Sequence, residues 1–126
     1  HALDPDVLAA ARSAAEAHGG SVTATADPPA ALDGADVVYA KSWGGPLQYT
    51  APSREAEARA AHADWCITAD HMAHTEKAAF LHCLPVRRNV VVDGAVLDGP
   101  HAAHLDQAED RLHAQKALLE YVWGLD

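Results

Sequence analysis

The stretch Phe80 to Gly94, FLHCLPVRRNVVVDG, places a histidine and a cysteine between an apolar run and a proline, with two arginines directly behind. Three chemistries use such residues. Cys83 as a thiol nucleophile needs a base to deprotonate it. His82 is its neighbour in sequence, but adjacent residues on a strand point to opposite faces, so the two make no dyad. Metal binding would draw on the nine histidines, among which His71/His74 and His101/His104 have the i, i+3 spacing that brings two imidazoles to one helix face. No HExxH run accompanies them and spacing suggests no third ligand, so scattered surface histidines account for the pattern. The third chemistry is recognition of an anion and of N–H groups. Pro85 restricts its own φ and pushes Leu84 toward extended backbone, which sends the carbonyls of Cys83 and Leu84 outward in set directions as acceptors. Arg87 and Arg88 follow at loop distance and can fork onto a carboxylate or phosphate; Arg111 adds a third guanidinium near the start of the last helix. Singly, each arginine reads as surface charge. Together, on loops after strands, they read as a site.

The elements that must position these residues alternate. Asp4 caps a helix that Pro5 opens, Val7, Leu8, Ala11, Ala14 and Ala15 repeat at helical spacing, and Gly19-Gly20 ends it. Residues 21–25 (SVTAT) are short and partly β-branched, which predicts a strand. Residues 27–34 form a short helix or turn, and 35–41 (ADVVYAK) a strand buried on both faces. After it comes the loop SWGGPLQY, then a helix over 53–63, a short strand over 64–68 and a short helix within 70–78. Residues 79–83 (AFLHC) are a second buried strand, stopped by Pro85. A turn and a short helix occupy 90–100, residues 101–106 carry a last short strand, and 106–123 a long closing helix. Strands alternating with helices predict an α/β fold, a Rossmann-like parallel sheet flanked by helices. The first helix has no strand before it, and a right-handed βαβ unit needs one, so the sheet is expected to lack one or more strands that a longer chain would supply. In such sheets ligands gather beyond the carboxyl ends of the strands. Two of those ends carry unusual residues: Lys41-Ser42-Trp43-Gly44 and Cys83-Leu84-Pro85.

The 126 residues suit one small domain, and 49% hydrophobic residues are enough for a core. A formal charge of −9 argues against nucleic acid or an anionic membrane as the main partner. Two cysteines without a CxxC pair predict a reduced, cytoplasmic protein, and no apolar run approaches the roughly 20 residues of a membrane span.

Three motifs carry a family resemblance. FLHCLPVRRN contains HCLP, which resembles the signature of the ornithine-type carbamoyltransferases, and DQAEDRLHAQKA is similar to their closing helix. GADVVYAKSWG looks like the N-acetylornithine and N-succinylornithine members, where ordinary ornithine enzymes carry an SMG motif. The resemblance runs from the first helix to the last. It implies that residues 1–126 are the C-terminal, acylornithine-binding domain of an aspartate/ornithine carbamoyltransferase superfamily enzyme, without the carbamoyl-phosphate-binding domain. No Ser-Thr-Arg-Thr phosphate loop occurs in the sequence.

The implied reaction moves the carbamoyl group of carbamoyl phosphate to the δ-amine of N-acetyl- or N-succinylornithine, in arginine biosynthesis. By resemblance, the backbone carbonyls of Cys83 and Leu84 orient the amine and the carbamoyl NH₂, and Arg111 polarises the carbamoyl carbonyl. Lys41, Trp43, His82 and Arg87 form the substrate side. Neither metal nor organic cofactor is expected; the full-length enzyme is expected to be a homotrimer, and the isolated chain inactive. Two departures stand out: Val91, eight residues after Cys83, replaces a carboxylated lysine of some acetylornithine enzymes, and Asp110 replaces the asparagine before Arg111. The alternatives are the same domain of a plain ornithine carbamoyltransferase and a non-catalytic binding or assembly module.

Overall fold

The computed structural model describes residues 3–41, 44, 47–62 and 64–125. Helices and strands alternate along them: α1 (Pro5–Ala17), α2 (Pro28–Leu32), β1 (Val37–Ala40), α3 (Leu47–Thr50), α4 (Pro52–Ala60), α5 (Ala69–Met72), β2 (Ala79–His82), α6 (Gly94–Leu97) and α7 (His104–Trp123). The α/β class with a parallel sheet flanked by helices is the one the sequence implies. Helix α1 begins as its sequence requires: the Asp4 carboxylate accepts from the N–H groups of Asp6 at 2.9 Å and Val7 at 3.2 Å, satisfying donors that have no partner inside the helix.

The sheet pairs β1 with β2 in parallel, Val37 beside Ala79 and Ala40 beside His82. A third segment touches the free side of β2. The Phe80 N–H donates to the His101 carbonyl at 2.8 Å, and the Ala103 N–H returns to the Phe80 carbonyl at 2.9 Å. That contact is one bridge at Ala102, because α7 turns away at His104. The strand expected over 101–106 is therefore a single bridge, and α7 starts two residues early. The strand expected over 64–68 likewise shrinks to one bridge, Ile67 to Val92.

Two expectations are overturned. Residues 21–25 are irregular backbone; β propensity measures fit to a pleated, packed surface, and these residues have no ladder partner among the described residues. β1 is not buried on both faces. Val38 and Ala40 are buried, whereas Val37 and Tyr39 are 54% and 50% exposed. The apolar run VVYA marks a strand, but only alternate residues face packing atoms.

The core lies on one side of the sheet. Val38, Ala40, Phe80, Val91, Val92, Val96, Leu97 and Leu32 form it, with Ile67, Met72 and Val86 packed at its border. Phe80 and Val92 are wholly inaccessible, and burying one such side chain stabilises by about 1.5–3 kcal/mol. Val91, the position of the expected departure, is 2% exposed: it is a core residue here. By contrast, α1 buries none of its residues and α7 only His104.

Candidate functional site

Because Ala40 and His82 are ladder partners, the residues that follow them, Lys41 and Cys83, leave the sheet side by side. The first turns of α7 lie against the same edge. A cavity of about 310 Å³ opens there, lined by Tyr39, His82, Cys83, Leu84, Gln107, Ala108 and Arg111. The Leu84–Pro85 peptide bond is cis. Of the residues singled out in the sequence, His82, Cys83, Leu84 and Arg111 meet at this cavity. Lys41 leaves β1 beside Cys83 and bears on its sulfur electrostatically. Arg87 sits outside the lining, exposed on the following loop, and Trp43 lies outside the described residues.

The Cys83 thiol is held below its ordinary pKa, first by the nearby Tyr39 hydroxyl, then by the Lys41 ammonium. Both favour the charged sulfur. Cys66, the other cysteine, behaves oppositely: burial pushes its thiol up, and the Asp93 carboxylate adds to that. His82 is 1% exposed, on the core face, and neither ring nitrogen has a hydrogen-bond partner among the described residues. Burial holds its imidazole below the usual histidine range; the Cys83 backbone opposes this, while Lys41 and His104 reinforce it.

The two arginines behind HCLP divide their work. Arg88 is spent on structure, forking onto both oxygens of Asp98 at 2.6 and 2.9 Å. That pair lowers the Asp98 carboxyl below its ordinary pKa and fastens the loop to α6. Asn89 takes a left-handed φ of 59°, tolerable for asparagine, and its side-chain oxygen accepts from the Gly94 N–H at 2.8 Å. A Cβ at Gly94 would lie 2.8 Å from Arg88 Nη1, so a larger residue there would push the guanidinium tip aside. Arg87 is left exposed and has no ion pair among the described residues.

No group of three metal-ligating side chains lies together among the described residues. His71 instead serves its own helix, its Nδ1 lying 3.2 Å from the Thr68 N–H and 3.1 Å from the Cys66 carbonyl.

Sequence reasoning missed Tyr39, Gln107 and Ala108. Tyr39 was visible as the one aromatic of VVYA, and Gln107 as the one uncharged polar residue of DQAEDR, but neither carries a signal that would pair it with residues 25 or 68 positions away.

The sequence model of the family described as aspartate/ornithine carbamoyltransferase, Asp/Orn binding domain, matches residues 1–122. An ornithine carbamoyltransferase of Leifsonia xyli is 42% identical over 120 residues, covering 94% of this chain and 38% of the relative. An N-acetylornithine carbamoyltransferase of Xanthomonas campestris is also 42% identical, over 115 residues, covering 91% of this chain and 34% of the relative. The chain thus spans little more than a third of the relatives it matches. A crystal structure of acetylornithine transcarbamylase complexed with acetylcitrulline superposes with a TM-score of 0.84 at 39% identity, over 94% of this chain and 35% of the other. The alternating α/β order, the HCLP loop beside the start of α7 and a family match over nearly the whole length agree: the chain belongs to the aspartate/ornithine carbamoyltransferase family.

Proposed function

We propose that residues 1–126 form the amino-acid-binding domain of a carbamoyltransferase that transfers the carbamoyl group of carbamoyl phosphate to the δ-amine of an N-acylated ornithine. The carbamoyl-phosphate-binding domain and the homotrimeric, cytoplasmic setting are supplied by the longer protein. One observation carries this reading: the adjacent Cys83 and Leu84 and the sequence-distant Arg111 line one cavity at the carboxyl ends of two parallel strands.

The chemistry is nucleophilic addition of the neutral amine to the carbamoyl carbon, followed by cleavage of the bond from that carbon to the phosphate oxygen; phosphate leaves with the bonding pair and takes up the proton the amine nitrogen loses. It requires amine and carbonyl held at attack distance and charge stabilisation on the tetrahedral oxygen. The carbonyls of Cys83 and Leu84 accept hydrogen bonds from the amine and the carbamoyl NH₂. The Arg111 guanidinium stabilises the oxygen as it gains charge. Lys41 and Arg87, with Trp43, hold the α-carboxylate. His82 supports the substrate side through the position of its backbone, since its ring faces the core. Cys83 acts through its carbonyl and forms no covalent intermediate, and the addition and elimination call for neither metal nor organic cofactor.

The acyl group is favoured by Lys41 and the YAKSWG run. A second reading, free ornithine as the acceptor, is favoured by the equal 42% identity to an ornithine carbamoyltransferase. Citrulline-type product formation by the intact protein, assayed with N-acetylornithine, N-succinylornithine and ornithine, separates them. Arg111→Ala should lower kcat by about 10²–10³-fold, the usual loss on removing an oxyanion donor. No carbamoylation of any of the three amines would sink the proposal.

A further inference from the structure

Gln107 stands where the hydrogen-bond ladder of β2 runs out. Along β2 the N–H groups alternate sides. That of Ala79 donates toward β1, to Asp36 at 3.0 Å, and that of Phe80 donates the other way, to His101 at 2.8 Å. The His82 N–H points the same way as that of Phe80, since the pattern has period two. By then the neighbouring segment has turned into α7 and offers no further backbone carbonyl. The Gln107 side chain takes its place: its Oε1 accepts from the His82 N–H at 2.9 Å.

The other end of the same amide crosses to β1. Gln107 Nε2 donates to the Tyr39 hydroxyl at 3.0 Å. Chemistry fixes this orientation of the amide, because a backbone N–H can only donate and so must face the oxygen. The Tyr39 oxygen is thereby used as an acceptor, and its single proton is left to point elsewhere. The sulfur of Cys83 is its neighbour in the same cavity.

We propose that Gln107 is a positioning residue: its amide completes the ladder at His82 and aims the Tyr39 hydroxyl proton at the Cys83 sulfur, fixing the backbone turn that presents the Cys83 carbonyl. Hydrogen bonds run from the His82 N–H to Gln107 and from Gln107 to Tyr39, whose hydroxyl lines the same cavity as the Cys83 sulfur. They tie both strand ends to α7 at the point where the loops diverge. The other charged or titratable groups around that sulfur are Lys41 at the end of β1, His82 on β2 and Arg111 on α7. The catalytic consequence rests on the carbamoyltransferase reading; the hydrogen-bond chain does not.

The test uses Gln107→Glu, which keeps size and the acceptor for His82 but replaces the donor to Tyr39 with a second acceptor. That carboxylate draws the Tyr39 proton to itself and away from Cys83. Alkylation of Cys83 in the intact protein is followed across pH by peptide mass spectrometry, with Cys66 as internal reference. Tyr39→Phe and Gln107→Glu should each slow Cys83 alkylation at pH 7 by about three- to tenfold, a shift of up to one pKa unit. In the Tyr39→Phe background, Gln107→Glu should then add nothing further. A Gln107→Glu effect of undiminished size in that background would mean a bare charge effect and overturn the proposal, as would unchanged profiles in both single variants. Hydrogen exchange at the His82 amide supplies the second readout: protection should survive in Gln107→Glu and be lost in Gln107→Leu, and protection retained in Gln107→Leu also overturns it. Absence of carbamoyl transfer in the unaltered protein would defeat the functional reading alone and leave these outcomes standing.

Discussion

The two faces of the β1–β2 sheet are built from the same eight residues and live in different surroundings. On one face Val38, Ala40, Phe80 and His82 are buried against α2, α5, α6 and the 86–92 loop. On the other, Val37 and Tyr39 are about half exposed, and Ala79 and Leu81 are half-buried. The difference separates two tasks. The buried face supplies the energy that holds the strands, and the strand ends, with Tyr39 reaching from the open face, supply the polar contacts of the cavity. His82 belongs to both: its ring is in the core while its N–H reaches Gln107.

The largest test of this contrast pairs Phe80 with Val37. Phe80→Ala should cost about 3–5 kcal/mol, as for other buried phenylalanines, whereas Val37→Ala should stay within about 0.5 kcal/mol, as at open surface positions. Urea unfolding of both variants reads the difference; equal losses would mean the outer face is packed as tightly as the inner.

A middle-sized effect comes from pH. The folded pKa of His82 is depressed, so the unfolded chain binds its proton first. The contribution of the neutral ring is fully present above the unfolded value of about 6.5 and is lost as pH falls toward the folded pKa, with a limiting slope of about 1.4 kcal/mol per pH unit. The lowered carboxyl of Asp98 loses its contribution only in a more acidic window, so the range from pH 7 to 5 separates the histidine from that carboxylate. Denaturation midpoints across that range should fall for the parent protein and flatten for His82→Gln. An unchanged slope in the variant would place the titration elsewhere.

The smallest effect belongs to Arg88. Its pair with Asp98 is exposed, side chains 50% and 69% accessible, and such pairs contribute little in salt. Arg88→Ala should shift the melting temperature slightly at low ionic strength and not at all at 0.5 M salt, roughly where the Debye length falls well below 10 Å. Arg87→Ala, by comparison, should leave stability unchanged. A large, salt-independent loss in Arg88→Ala would mean that the loop clamp belongs to the core.

The open face also explains where sequence reading stopped short. Unbroken apolar runs mark strands, and both VVYA and AFLH are strands, but a run does not say how many of its faces are covered. The SVTAT segment shows the same limit in reverse. Its residues favour extended backbone, yet a strand needs a partner at hydrogen-bonding distance, and that is a property of the fold. The bridges at Ile67 and Ala102 show intermediate cases, in which a neighbour is present for one residue only.

Sequence by itself determined what depends on neighbours a few residues apart. The Asp4-Pro5 start of α1, the apolar runs of β1 and β2, the HCLP turn and the Arg111 helix are all of this kind, and they were enough to bring the family resemblance into view. Tertiary structure alone decided which arginine behind HCLP is free, because Asp98 lies ten residues from Arg88 and only the loop's path brings them together. It decided that Val91 is a core residue, and that Gln107 reaches His82 and Tyr39 across 25 and 68 residues. Hydrogen bonds and packing of this range depend on where α7 leaves the sheet, a position set by the whole fold and by no local pattern.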